Sequence, residues 1–270
     1  LYDQDNHKSE DLLIPGFDSP ILLEMEDTPL KGAEALKKLA KKLKDFDGIK
    51  KVTIPSTFKG ELRSYQHQGV NWLQFLREYD LAGILADDMG LGKTVQALAH
   101  LAIEKHSKRM THPCLIVATT SLMSNWKRES QKFTPKLKTL VLQGQERSKH
   151  FDNIQNYDLV FTTYPLLARD SEILNENKWH YLILDEAQNI KNPKSQAARL
   201  VRTLQANHRL SLSGTPLENH LGELWAQFDF LLPHFLGNQK KFNNTYRTPI
   251  EKENNREKLQ RLTKRISPFL

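Results

Sequence analysis

The sequence predicts an α/β fold, with a mainly parallel central sheet covered by helices on both faces and a helical insertion near the C-terminus. Three observations predict it. Apolar runs of strand length recur at LAGILA (81–86), CLIVAT (114–119), TLVLQG (139–144), DLVFTTY (158–164), YLILDE (181–186) and HRLSLSG (208–214). Helical segments separate several of these runs, and strands joined through helices pair in parallel. A glycine-rich turn, DDMGLGKT (87–94), sits between the first strand pattern and an amphipathic helix pattern.

Taken in order, residues 1–30 are acidic and rich in turn formers, with Pro15, Gly16, Pro20 and Pro29, and read as the tail of something preceding. Over 32–46, Leu36, Leu39, Ala40 and Leu43 form an apolar stripe beside Lys37, Lys38, Lys41, Lys42 and Lys44, which predicts a helix with a solvated lysine face rather than a nucleic-acid face. Residues 1–56 are therefore expected to form an N-terminal extension, and 57–270 the main domain. VTIP and STFKG lead to a second helix, QGVNWLQFLREY, whose Val70, Leu73, Leu76 and Tyr79 point to the core. Beyond the strand and helix alternation, Leu221, Leu224, Trp225, Phe228 and Leu231 follow helical spacing, and another helix is expected near 255–265, so that 217–270 is mainly helical. There is no internal repeat.

With 270 residues and 39% hydrophobic content, the chain can bury a sizeable core. Its apolar runs are too short to span a bilayer and its N-terminus has no basic-then-apolar export pattern, so a soluble, cytoplasmic protein without membrane contact is expected, nucleoid-associated if bacterial. The single cysteine, Cys114, is expected to be a buried small hydrophobe in a reducing compartment. The ten histidines show no metal-ligand spacing, which argues against structural zinc. The net charge of +7 hides an asymmetry: residues 1–30 carry eight acidic groups and only Lys8, leaving 38 basic against 24 acidic in 31–270. A basic body suits a polyanion such as nucleic acid, and a lysine-rich solubilising surface explains any single cluster equally well.

The chemistry concentrates at three strand ends. Gly90 and Gly92 let backbone N–H groups point at phosphate oxygens at the positive end of the following helix. Lys93 would reach the β and γ phosphates of a nucleoside triphosphate, and the Thr94 hydroxyl would ligate Mg²⁺. The strict phosphate-loop pattern asks for glycine where Asp87 stands. At the end of YLILDE, Asp185 would hold Mg²⁺ through water while Glu186 orients and deprotonates the attacking water. LSLSGTP repeats the arrangement of a strand ending in small hydroxyls, and Ser213 and Thr215, flanking Gly214, could hydrogen-bond the acidic pair and report its state. Ligands of open parallel sheets bind at the carboxyl ends of the strands, so the Lys93 turn, Asp185 and Ser213 should share one edge.

In order, LRSYQHQGVNWL, LADDMGLGKT, LIVATTSLMSNW, VFTTYPLLARD, LDEAQNIKNP and LSGTPLENHLGELWAQFDFLLP resemble the first motor lobe of the Swi/Snf-type DNA translocases of helicase superfamily two. The resemblance covers roughly 57–270, with wording closer to the bacterial branch, and an aspartate at the start of the loop is usual there. It implies a RecA-like P-loop NTPase lobe with ATP and Mg²⁺ as cofactors. Gln66, with Arg63 nearby, would read adenine. Asp88, Met89, Gly90, Leu91, Gly92, Lys93 and Thr94 would hold the phosphates, with Lys93, Asp185 and Glu186 catalytic and Thr94 and Asp185 at the metal. Ser121, Asn125 and Lys127 would contact one strand of double-stranded DNA through its phosphates, and Thr163, Lys191 and Asn192 are weaker candidates for the same track. Trp126 reads as a core aromatic. Thr119 stands where the family usually has proline. The resemblance also implies a second RecA-like lobe beyond ISPFL, bearing an arginine finger, so that 1–270 alone would bind ATP weakly and turn over slowly. The expected activity is ATP-driven movement on duplex DNA, with a DNA-bound protein as possible cargo. The alternatives are a strand-separating DNA or RNA helicase lobe, or a non-catalytic DNA- or protein-binding module.

Overall fold

The computed structural model describes residues 48–88, 90–214 and 221–270. The expected helix at 32–46, most of the expected N-terminal extension, Met89 and Thr215 lie outside the described residues.

Helix α1 (Ser64–Glu78) packs on α2 (Lys93–His106), and β1 (Gly83–Leu85) lies between them in the chain. The chain continues through β2 (Cys114–Ala118), α3 (Met123–Phe133), β3 (Thr139–Val141), β4 (Leu159–Thr163), α4 (Tyr164–Arg169), α5 (Ser171–Glu176) and β5 (Trp179–Asp185). It then forms α6 (Gln196–Thr203), β6 (Ala206–Leu212), α7 (Leu221–Leu231), α8 (Gln239–Phe242), α9 (Thr248–Glu253) and α10 (Arg256–Ile266). All six expected strands form, and they pair in parallel in the order β1-β6-β5-β2-β4-β3.

Every residue of β2, β4 and β5 is buried. Successive side chains of a strand point to opposite faces, so unbroken burial means that both faces are covered. The core runs through Ile116, Phe161, Ile183 and Trp179 in the sheet to Trp126, Leu98, Phe228 and Phe230 on the helices. As expected, Val70, Leu73 and Leu76 are buried, Tyr79 is half-buried against the same core, and Cys114 is a buried free thiol whose pKa burial pushes well up. Among the described residues no helix is long and apolar enough to cross a membrane. The C-terminal region is helical, as its spacing predicts, but its path is more broken: α8, a π-helical turn over Asn243–Arg247 and α9 precede α10.

A polar cluster is buried where α1, α2 and the start of β5 meet, at the end of the sheet opposite the strands' carboxyl ends. Glu104, fully buried, accepts from Gln74 Nε2 at 3.1 Å and from Arg109 Nη2 at 2.5 Å, lies 3.1 Å from His180 Nε2 and pairs with Arg77 at 3.3 Å. Gln74 Nε2 also meets His100 Nδ1 at 2.8 Å, and Gln74 Oε1 accepts from Arg109. A buried carboxylate is tolerated only with such partners. Burial, opposed by Glu104 and helped by the Arg109 guanidinium, pushes His100 down to about 3. Burial, with His180 and Arg77 and against Glu104 and Asp80, pushes His208 down to about 4. Both imidazoles are neutral in the fold, while the unfolded chain takes up their protons near pH 6.5. Their contribution is therefore complete above pH 6.5 and is lost as the pH falls through that value toward 4 and 3. The thermal midpoint should fall on going from pH 7 to pH 5, and His208→Gln should shrink that fall. An unchanged fall in the variant would contradict the assignment.

Candidate ATP and nucleic-acid site

Parallel pairing sets the site. Leu85 at the end of β1 and Asp185 at the end of β5 are both in register with Leu212 at the end of β6, and Ala118 of β2 is in register with Thr163 of β4. The turns that follow all five strands therefore open on one edge of the sheet.

The phosphate loop leaves β1 and enters α2. Gly90 and Gly92 have φ of 86° and 85°, the left-handed region that glycine enters without strain. A Cβ on Gly92 would also stand 2.6 Å from Gln66 Nε2 and would displace that amide from the loop. Lys93 begins α2 and donates to the carbonyls of Asp87 at 2.7 Å and Asp88 at 3.1 Å. The aspartate that breaks the strict pattern has a local job: Asp87 Oδ2 accepts from Gln96 Nε2 at 2.7 Å, pinning the start of the loop to α2. Thr94 follows Lys93 on the first turn and is half-buried. Leu91 is 36% exposed at the loop tip.

Gln66 lies against this loop, as its assignment to the nucleotide site requires, but its amide is already engaged. Oε1 accepts from the N–H of Arg63, the cap of α1, and Nε2 donates to the carbonyl of Leu91 at 3.0 Å. Tyr65 donates to the same carbonyl at 3.3 Å. In this conformation Gln66 is a strut between α1 and the phosphate loop.

Asp185 and Glu186 stand two strands away, with β6 between. Asp185 is 6% exposed; Oδ1 accepts from the Glu186 N–H at 3.0 Å and Oδ2 from Trp126 Nε1 at 2.7 Å. Burial raises its pKa and Glu186 adds to that, while the Trp126 and Glu186 hydrogen bonds and the charge of Lys93 act against it. Glu186 is half-buried and takes the left-handed conformation at φ 52°, ψ 56°. For a residue with a Cβ that costs about 1–2 kcal/mol. Four bonds hold the turn: the Glu186 N–H to Asp185, the Tyr164 hydroxyl to the Asp185 carbonyl at 2.8 Å, with the Glu186 carbonyl a longer second acceptor at 3.5 Å, and the Asn189 N–H and Nδ2 to the Glu186 carbonyl at 3.0 and 2.8 Å. At about 1 kcal/mol each, such bonds offset the strain. Burial, with the Asp185 and Glu186 charges, pushes the Tyr164 phenol far up, so it stays protonated and donates. Gln188 Nε2 donates to Glu186 Oε2.

Ser213, buried at the end of β6, sits between loop and acidic pair and donates its N–H to the Leu85 carbonyl. Among the described residues its hydroxyl makes no hydrogen bond to Asp185 or Glu186; Gly214 follows, half-buried.

The expected nucleic-acid residues divide by exposure. Ser121 is exposed in the short 3-10 turn after β2, 3.1 Å from the Thr119 hydroxyl. Asn125 and Lys127 are on the first turns of α3, Asn125 half-buried and bonded to Glu129 and Arg128, Lys127 exposed. Lys191 and Asn192 are exposed after β5, and Lys191 pairs with Glu223 of α7 at 3.4 Å. Thr163, in contrast, is 3% exposed, because it is the last residue of a strand covered on both faces. Trp126 is a core residue, as expected, but its bond to Asp185 spans 59 residues and has no local signal in the sequence. Nor does Tyr164, whose bond to the Asp185 carbonyl spans 21 residues and depends on β4 and β5 lying in one sheet.

Residues 65–270 match the SNF2-related domain. The chain is 42% identical over 241 residues to YwqA of Bacillus subtilis, covering 88% of this chain and 26% of YwqA. It is 38% identical over 223 residues to the ISWI chromatin-remodeling complex ATPase ISW2 of Saccharomyces cerevisiae, covering 80% of this chain and 20% of that protein. The Sulfolobus solfataricus SWI2/SNF2 ATPase core solved in complex with double-stranded DNA superposes with a TM-score of 0.76 at 39% identity, over 82% of this chain and 46% of that one. The chain thus spans about a quarter or less of the length of these curated relatives. With its six-stranded parallel sheet, and its glycine-rich loop and acidic pair on one edge, the chain belongs to the SNF2-related domain family.

Proposed function

We propose that this chain is the first lobe of an ATP-driven motor that moves along duplex DNA without separating its strands. The observation that carries the proposal is the placement of Lys93 and the Asp185–Glu186 pair on one sheet edge, beyond strands β1 and β5 that are both in register with β6. This is the pairing that phosphoryl transfer needs: a cation for the phosphates, and carboxylates for a metal and for the attacking water.

The residues present fit Mg²⁺. Thr94 and Asp185 offer the hard oxygen ligands that it takes, and each Asp185 oxygen, with one hydrogen bond in place, keeps a lone pair for a metal-bound water. Bound Mg²⁺ would neutralise charge on the β and γ phosphate oxygens. Lys93 would exchange the carbonyls of Asp87 and Asp88 for the phosphates. Glu186 would orient the water and accept its proton, held to its task by the turn that Tyr164 braces. Ser121, Asn125 and Lys127 would meet the phosphates of one DNA strand, giving affinity without base readout. A second RecA-like lobe would close the ATP site with an arginine, and a DNA-bound protein could be the cargo.

In the full-length natural protein, Lys93→Ala or Glu186→Gln should lower DNA-stimulated ATP hydrolysis by at least about a hundredfold. The wild type should hydrolyse ATP on a short duplex without unwinding it. Full turnover in either variant, or strand separation during hydrolysis, would sink this reading. Lys127→Ala should weaken duplex binding equally for unrelated sequences and flatten the dependence of log Kd on log salt by about 0.9; a sequence-dependent loss would contradict a backbone contact.

A further inference from the structure

All four tryptophans are described, and each donates its indole N–H. Trp72, Trp179 and Trp225 donate to the backbone carbonyls of Pro268, Leu174 and Gly237. Trp126 alone donates to a carboxylate, Oδ2 of Asp185. It is fully buried, and a phenylalanine would fill much of the same space; packing asks nothing of its N–H. Its chain neighbours are Asn125 and Lys127, two of the residues proposed to meet DNA.

Tyr164 repeats the arrangement from a different element. It opens α4 directly after Thr163 and β4, is 7% exposed, and aims its hydroxyl at the carbonyls of Asp185 and Glu186. Two core aromatics, each just beyond a strand whose carboxyl end opens on the same sheet edge, thus converge on one strained turn. One grips its side chain and the other its backbone. A displacement of α3 or of the β4–α4 junction could not leave the turn unchanged while these bonds last.

We propose that Trp126 and Tyr164 are positioning residues that couple the segments beyond β2 and β4 to the Asp185–Glu186 pair, so that a duplex bound at Ser121, Asn125 and Lys127 sets the placement of the carboxylates that serve Mg²⁺ and the attacking water. This rests on the ATP and DNA reading above. Coupling between two sites is reciprocal, so the strengthening of nucleotide binding by DNA equals the strengthening of DNA binding by nucleotide.

The test uses the full-length natural protein, with calorimetric titration of a non-hydrolysable ATP analogue, with and without Mg²⁺, and with and without a mixed-sequence duplex. The wild type should show a coupling factor of at least about fivefold between duplex and Mg²⁺–nucleotide. Trp126→Phe and Tyr164→Phe should each bring that factor to within about twofold of unity, while duplex affinity without nucleotide and nucleotide affinity without Mg²⁺ stay within about twofold of wild type. A merely structural role would move the last two as well. Tyr164→Phe removes a single oxygen, so it carries the test if Trp126→Phe fails to fold. No coupling in the wild type, coupling intact in the variants, or coupling lost together with duplex affinity would overturn the proposal. Asp185→Asn reports on the underlying site: if Mg²⁺-dependent nucleotide affinity survives it, the site assignment fails, whatever the two aromatics do.

Discussion

Parallel pairing obliges every strand of this sheet to end on the same side, and the rest of the molecule follows from that constraint. Burial of β5 on both faces, between β2 and β6, fixes its register. Asp185 cannot slide relative to Leu212, nor Leu212 relative to Leu85, without turning a whole strand's side chains to the wrong face. The loop, the acidic pair and the segments beyond β2 and β4 therefore hold their relative places through the core rather than through direct contacts. Direct contacts then refine the arrangement: Gln66 and Gln96 on the loop, Trp126 and Tyr164 on the acidic turn.

Helix α2 has a different task at each end. Its first residue, Lys93, faces the candidate site, where the positive helix end favours phosphate. Near its other end Glu104 anchors the buried cluster with Gln74, Arg109, Arg77 and His180. The cluster ties α1, α2 and β5 together far from the chemistry, which leaves the loop end free of any need to stabilise the fold.

Much of this was legible in the sequence, because its signals are local. Continuous apolar runs mark strands buried on both faces, and the runs at CLIVAT and YLILDE became β2 and β5 almost residue for residue. Gly90, Gly92 and Lys93 carry their chemistry in adjacent positions, and so do Asp185 and Glu186. What stayed hidden depends on distant partners. Gln66 matches a family motif, yet nothing nearby in sequence says that its amide bridges Arg63 and Leu91. Thr163 reads as a polar strand end, and only the covering of both sheet faces shows that it is buried. Trp126 was legible as core but not as the donor to Asp185, since an indole satisfied by a carbonyl leaves the same trace in sequence as one satisfied by a carboxylate. The histidines look scattered in the chain, and His180 meets His208, with Tyr181 joining both to His100, only because β5 and β6 pair in parallel beside α2.

The two carbonyls that Lys93 holds have a consequence for selectivity. An incoming anion does not meet an idle ammonium group; it must displace the oxygens of Asp87 and Asp88, at 2.7 and 3.1 Å. A neutral hydroxyl or carbonyl offers no better bond than those it replaces. A multiply charged phosphate does, because it adds the attraction of opposite charges to the hydrogen bond. In the proposed ATP site, the loop would thereby rank its visitors by competition with its own backbone, and weakly charged solutes would be turned away without any wall to exclude them.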